Sequence, residues 1–91
     1  MTPEVPMPLP RKRSGLRVRE IDGETVILDE ARGHMHNLNI TASFIFDQVN
    51  GERTIDEISR DLANAFGIPR ETADQDTKAF LELLRLREIL E

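Results

Sequence analysis

Residues 16–38 read as three short apolar-containing segments separated by turn residues, and from residue 40 onward the apolar positions recur at helical spacing. Leu16 to Ile21 is the first predicted strand, with charge at Arg17, Arg19 and Glu20. Asp22-Gly23 predicts a hairpin turn, because both residue types tolerate positive φ. Thr25 to Asp29, rich in β-branched residues, is the second strand; Glu30 to Gly33 is a second turn. His34 to Leu38 is the third strand, with His36 and Leu38 on one face and Met35 and Asn37 on the other. Short turns join neighbours, so the three strands form a meander with two free edges. The first edge is guarded by charge. The third strand has neither proline nor lysine, and so lacks the usual protection against pairing with another chain.

Asn39 is a good N-cap for a short helix over Ile40 to Val49, apolar on most sides and ended by Asn50-Gly51. Thr54 and Glu57 make a capping box; Ile55, Ile58, Leu62, Ala65 and Phe66 mark the face of the helix that follows, up to Gly67. After Pro69, a last helix is expected from Arg70 or Thr72 towards Leu90. On a wheel of about 100° per residue, Ala73, Thr77, Phe80, Leu81 and Leu84 form one apolar stripe. Ala79, Leu83, Leu86 and Leu90 form a second, with Asp76 and Arg87 between the two. The stripes together span about 220°, against the roughly 100° that covers a core. The first suffices for the core. The second is expected to meet another part of the domain, a peptide or a second copy, and its i, i+4, i+7, i+11 spacing suits self-association into a homodimer. The fold class expected is α+β: a small winged helix-turn-helix-like domain, a three-stranded antiparallel meander followed by three helices.

Composition narrows the function. Ninety-one residues make one domain. Prolines at positions 3, 6, 8 and 10, the basic Arg11-Lys12-Arg13 and the break at Ser14-Gly15 predict a flexible arm over 1–15 ahead of a domain over 16–91. The absence of cysteine excludes disulfides and thiolate metal sites. No apolar run approaches the ~20 residues of a membrane span, and no signal-peptide core is visible, so a cytoplasmic protein without a membrane partner is expected. The net charge of −5 argues against nucleic-acid binding. Two helices around a corner beside a meander keep a winged-helix DNA-binding regulator as the alternative, yet residues 70–91 carry four basic and six acidic side chains, a poor balance for a groove reader. His34 and His36 face the same side of a strand, but two histidines without a third ligand make no metal site. Ser43 lacks a nucleophile-elbow pattern, and the five glycines sit at breaks rather than in a phosphate loop. No catalytic residue and no cofactor is expected. The chain reads as a binding protein or a structural dimerisation module.

The order of signals resembles the PQQ-biosynthesis protein D family. The resemblance is carried by Val26-Ile27-Leu28-Asp29, Gly33, Leu38-Asn39 and Thr41-Ala42; then Gly51, Thr54, Glu57-Ile58, Leu62 and Phe66; and last Asp76, Ala79-Phe80-Leu81, Leu84 and Leu90. It covers about residues 16–90. It implies a non-catalytic recognition element that binds the leader of a ribosomally synthesised precursor peptide as an added strand and presents it to a modifying enzyme, often a radical S-adenosylmethionine enzyme. By position, the resemblance implies peptide contacts at Met35, His36, Asn37 and Leu38 on the third strand. On the last helix it places the groove near Thr77, Lys78, Leu81, Leu84 and Arg85.

Overall fold

A computed structural model describes residues 9–91; prolines 3, 6 and 8 of the expected arm lie outside the described residues. Three strands, β1 (Arg17–Ile21), β2 (Glu24–Asp29) and β3 (His34–Leu38), precede three helices, α1 (Ile40–Asp47), α2 (Ile55–Phe66) and α3 (Arg70–Leu86). The sheet is antiparallel in the order β1-β2-β3, as the meander reading requires. At the first turn Asp22 and Gly23 have φ of 53° and 82°, the left-handed pair that matches the twist of a two-residue hairpin. On β2 the side chains of Thr25, Ile27 and Asp29 are buried beneath the helices, and His36 and Leu38 join them from β3. β1 is exposed along its whole length.

The starts of α1 and α2 are marked by side-chain caps, whereas α3 begins after Pro69 without one. The Asn39 side-chain oxygen accepts from the Ala42 N–H at 2.8 Å. At α2, Thr54 and Glu57 exchange hydrogen bonds in a complete capping box, and Gly67, at φ 62°, closes the helix. The Ser43 hydroxyl ties α1 to the sheet: it accepts from the Thr25 N–H at 2.8 Å and donates to the Leu38 carbonyl at 3.2 Å. The core is built from Ile27, Leu38, Ile45, Phe46, Val49, Ile58, Leu62, Ala73, Leu81, Leu84 and Ile89, with α3 packed chiefly on α2.

The end of α3 departs from the sequence reading. The helix stops at Leu86 instead of running towards Leu90. Glu88 adopts φ 59°, the Glu88 N–H donates to the Arg85 carbonyl, and the Ile89 N–H donates to the Leu84 carbonyl at 2.9 Å. This is a Schellman closure, with Ile89 folded back beside Leu84 in the core. Beyond it the chain runs alongside residues 11–13. Arg13 N–H donates to the Ile89 carbonyl at 2.7 Å, Glu91 N–H donates to the Arg11 carbonyl at 3.0 Å, and Lys12 pairs with Leu90. Gly51 N–H also donates to the Pro10 carbonyl at 2.8 Å. Residues 10–13 are therefore fastened to the domain rather than part of a free arm. Lys12 lies over the Phe46 ring, 4.4 Å from its centroid.

Candidate functional site: the groove between β3 and α3

The free edge of β3 follows from register. A two-residue hairpin makes its flanking pair, Ile21 and Glu24, a hydrogen-bonded pair, and pairs alternate from there. On β2, residues 24, 26 and 28 thus turn their peptide groups to β1, and residues 25, 27 and 29 turn theirs to β3. The partners of the second set are Leu38, His36 and His34. The N–H and C=O groups of Met35 and Asn37 are left pointing outward along an unpaired edge. Four backbone hydrogen-bonding groups stand in a row there.

The helix facing this edge presents an apolar side. Two cavities lie along the crease. One, of about 540 Å³, is lined by residues 32–36 of the β2–β3 turn and β3, and by Leu86, Arg87 and Glu88. The other, of about 430 Å³, is lined by Asn39, Thr41, Ala42 and Ile45 of the α1 end and by Asp76, Ala79, Phe80 and Leu83 of α3. Met35, Leu83 and Leu86 are 62%, 41% and 66% exposed, high values for such large apolar side chains.

The second stripe of the sequence reading therefore lines this crease, Leu86 sharing a cavity with β3 and Ala79 and Leu83 sharing one with the start of α1. The positions taken from the resemblance lie elsewhere. Thr77, Leu81 and Leu84 are buried in the core. Lys78 and Arg85, with Leu81, line a different cavity of about 330 Å³ beside Leu9, Ile55 and Leu90. Arg85 is engaged there by Glu82, with Nε donating to Oε2 at 3.0 Å. Leu90 drops out of the seam because α3 has ended before it; it is half-buried against the core. On β3 the structure separates two kinds of residue. Met35 and Asn37 are exposed in side chain and outward in backbone, whereas His36 and Leu38 are buried and bond towards β2.

A polar cluster closes the turn end of the crease. Arg13 Nη2 donates to Asp29 Oδ2 at 2.6 Å, and Arg32 Nε lies 3.5 Å from the same oxygen. Arg32 also pairs with Glu88, whose backbone carbonyl accepts from Arg13 Nε at 2.7 Å. Burial pushes the Asp29 carboxyl up, but the Arg13 hydrogen bond and the charges of Arg13 and Arg32 outweigh it and hold the group below the usual aspartate value. These pairs fix the β2–β3 turn against the end of α3 and so set the width of the crease. Next to them Arg87 Nη1 stands 3.3 Å from His36 Nδ1. Burial, then the Arg87 and His34 charges, push the His36 pKa down, with Asp29 pulling weakly the other way. Sequence reasoning missed Arg13, Asp29, Arg32, Arg87 and Glu88 as a group, because they come from four separate elements. Among the described residues, no three histidine or acidic side chains gather as a metal site, and no helix is long and apolar enough to cross a membrane.

The family model for coenzyme PQQ synthesis protein D (PqqD) matches residues 24–90, from the start of β2 through Leu90. The chain belongs to the PqqD family. A curated relative of this PqqD-family chain is the PqqA binding protein of Rhizobium meliloti (strain 1021), 33% identical over 79 residues, covering 85% of this chain and 79% of the relative. Among solved structures, TbiB1 in complex with the TbiA(beta) leader peptide matches with a TM-score of 0.81 and 25% identity, over 89% of this chain and 94% of that one. Lasso peptide synthetase B1, complexed with the leader peptide, has the same fold, with a TM-score of 0.78 at 23% identity, over 90% of this chain and 95% of that one. The winged helix-turn-helix-like arrangement of this PqqD-family member is thus shared with both, and the DNA-binding alternative finds no support among these matches.

Proposed function

We propose that this chain is a non-catalytic recognition element that captures the leader of a ribosomally made precursor peptide as a fourth strand on β3 and presents it to a modifying enzyme, of the radical S-adenosylmethionine class that the family resemblance implies. The observation that carries the proposal is the unpaired row of peptide groups at Met35 and Asn37, with Leu86 of α3 lining the same cavity as Met35 and Ala79 and Leu83 lining the next. Strand addition takes affinity from main-chain bonds and selectivity from pockets for alternate side chains, and this crease offers both. The relatives support the same reading: one is a PqqA binding protein, and TbiB1 carries a leader peptide.

The test is a nuclear magnetic resonance titration with leaders taken from short reading frames that neighbour the gene. Amide signals of Met35 and Asn37 and methyl signals of Ala79, Leu83 and Leu86 move on binding. Shifts centred on β1, or on the cavity of Lys78 and Arg85, overturn the assignment. The exposure of Leu83 and Leu86 favours one second reading as well: without peptide, two copies cover this face of each other, so that self-association and peptide capture compete.

A further inference from the structure

The crease is apolar along most of its length and polar at one end. Arg87, the first residue beyond α3, points its Nη1 at His36 Nδ1, 3.3 Å away. A guanidinium can only donate, so Nδ1 accepts and the ring is the neutral tautomer with its proton on Nε2. His36 is 8% exposed, and this Nε2 is buried without a partner among the described residues. Arg87, for its part, pairs with no carboxylate among the described residues, whereas Arg32 beside it is engaged by both Asp29 and Glu88. An exposed cation without a carboxylate partner among the described residues therefore lines this cavity, held from beneath by His36. What it lacks is an acceptor that carries negative charge.

An added strand on β3 directs every second side chain to the helix side of the sheet. There it meets the Arg87 cavity near His34 and His36, and then the apolar cavity of Ala79, Phe80 and Leu83 near the start of α1. We propose that the first cavity is a carboxylate subsite: it takes an aspartate or glutamate side chain of the bound strand, while an apolar side chain an even number of residues away fills the second. This rests on the strand-capture reading above and adds to it the pattern that the chain selects. Arg87 is the specificity-determining residue and His36 holds it in place.

The experiment selects a displayed library of random peptides against the protein, then synthesises the winners with amidated C-termini, so that only side chains offer a carboxylate. The winners share an acidic residue at one position, an even number of residues from an apolar one, and shift the amides of Met35 and Asn37. Arg87→Glu, an exposed change whose folding is checked by circular dichroism, weakens them about tenfold or more, the scale of a charge-assisted hydrogen bond. Exchanging the peptide's acid for lysine restores binding to that variant. Arg87→Gln, which keeps a donor for His36 without the charge, loses the preference for acid while remaining folded. Winners that move Met35 and Asn37, lack a shared acid and bind Arg87→Glu equally well overturn the subsite and leave strand capture standing. Winners that bind without moving β3, or no winners at all, overturn strand capture and the subsite with it.

Discussion

Asn37→Pro is the sharpest probe of the edge. Register leaves the Asn37 N–H outside the sheet, so a proline there breaks no bond to β2. It removes one of the four outward peptide groups that a bound strand can use. A peptide hydrogen bond contributes about 1 kcal/mol net, so losing one weakens binding about fivefold. The pyrrolidine ring also stands where the incoming carbonyl would approach, which makes fivefold the lower bound. The control is Val18→Pro. Val18 faces Ile27 in a non-hydrogen-bonded pair, so its N–H points away from β2 on the opposite edge of the sheet. Both variants carry the same backbone restriction on an outer strand, and their thermal midpoints are expected to fall by similar amounts. Only Asn37→Pro loses affinity, measured by fluorescence anisotropy with a labelled peptide that shifts β3. Equal losses for the two variants, or undiminished binding by a folded Asn37→Pro, would refute the assignment of the edge.

Two further outcomes follow from the same geometry. Changing Leu83 and Leu86 together to glutamate leaves the core untouched, so stability stays within about 0.5 kcal/mol per site while sedimentation shows a monomer and peptide affinity falls; unfolding would place these leucines in the core. Because the folded protein holds His36 below its ordinary value, the unfolded chain takes up that proton first, below about pH 6.5. Stability is then complete above that pH and declines as the pH drops towards the folded-state value. Urea midpoints at about pH 7.5 and about pH 5.5 should differ in the unmodified protein and differ less in His36→Gln; an unchanged difference removes His36 as the cause.

The elements were legible because local chemistry marks them. Asp22-Gly23, Asn39, Thr54 with Glu57, and Gly67 each announce a boundary, and each boundary lies where its residue chemistry puts it. The end of α3 was hidden because its left-handed closing residue is Glu88 rather than glycine, so nothing in composition interrupts the apolar spacing up to Leu90. The spacing of Leu84 and Ile89, a pair that a Schellman closure brings together, was the available signal. The free edge was visible in the lack of guards on β3, and the surplus of apolar residues on the last helix was visible on the wheel. Which stripe faces which neighbour was not, because a wheel has no origin: the packing of α3 on α2 sets its rotation, and that buries Thr77, Leu81 and Leu84, turns Ala79 and Leu83 to the start of α1 and leaves Leu86 beside β3. The Arg13–Asp29–Arg32–Glu88 cluster is a meeting of distant positions, which no local pattern encodes.

The pairing of residues 11–13 with residues 89–91 has a topological consequence. The two ends of the described domain run side by side, with Arg11 bonded to Glu91 and Lys12 opposite Leu90. A short linker could join them into a ring, and a new opening could be cut at an exposed turn such as Asp22-Gly23 without moving any core residue. By the same token, a polypeptide fused before residue 9 or after residue 91 would start from the same pole of the domain. Order of fusion would then matter little to where such a passenger sits relative to the β3 edge, and a natural or engineered tether could switch ends while keeping its anchor point.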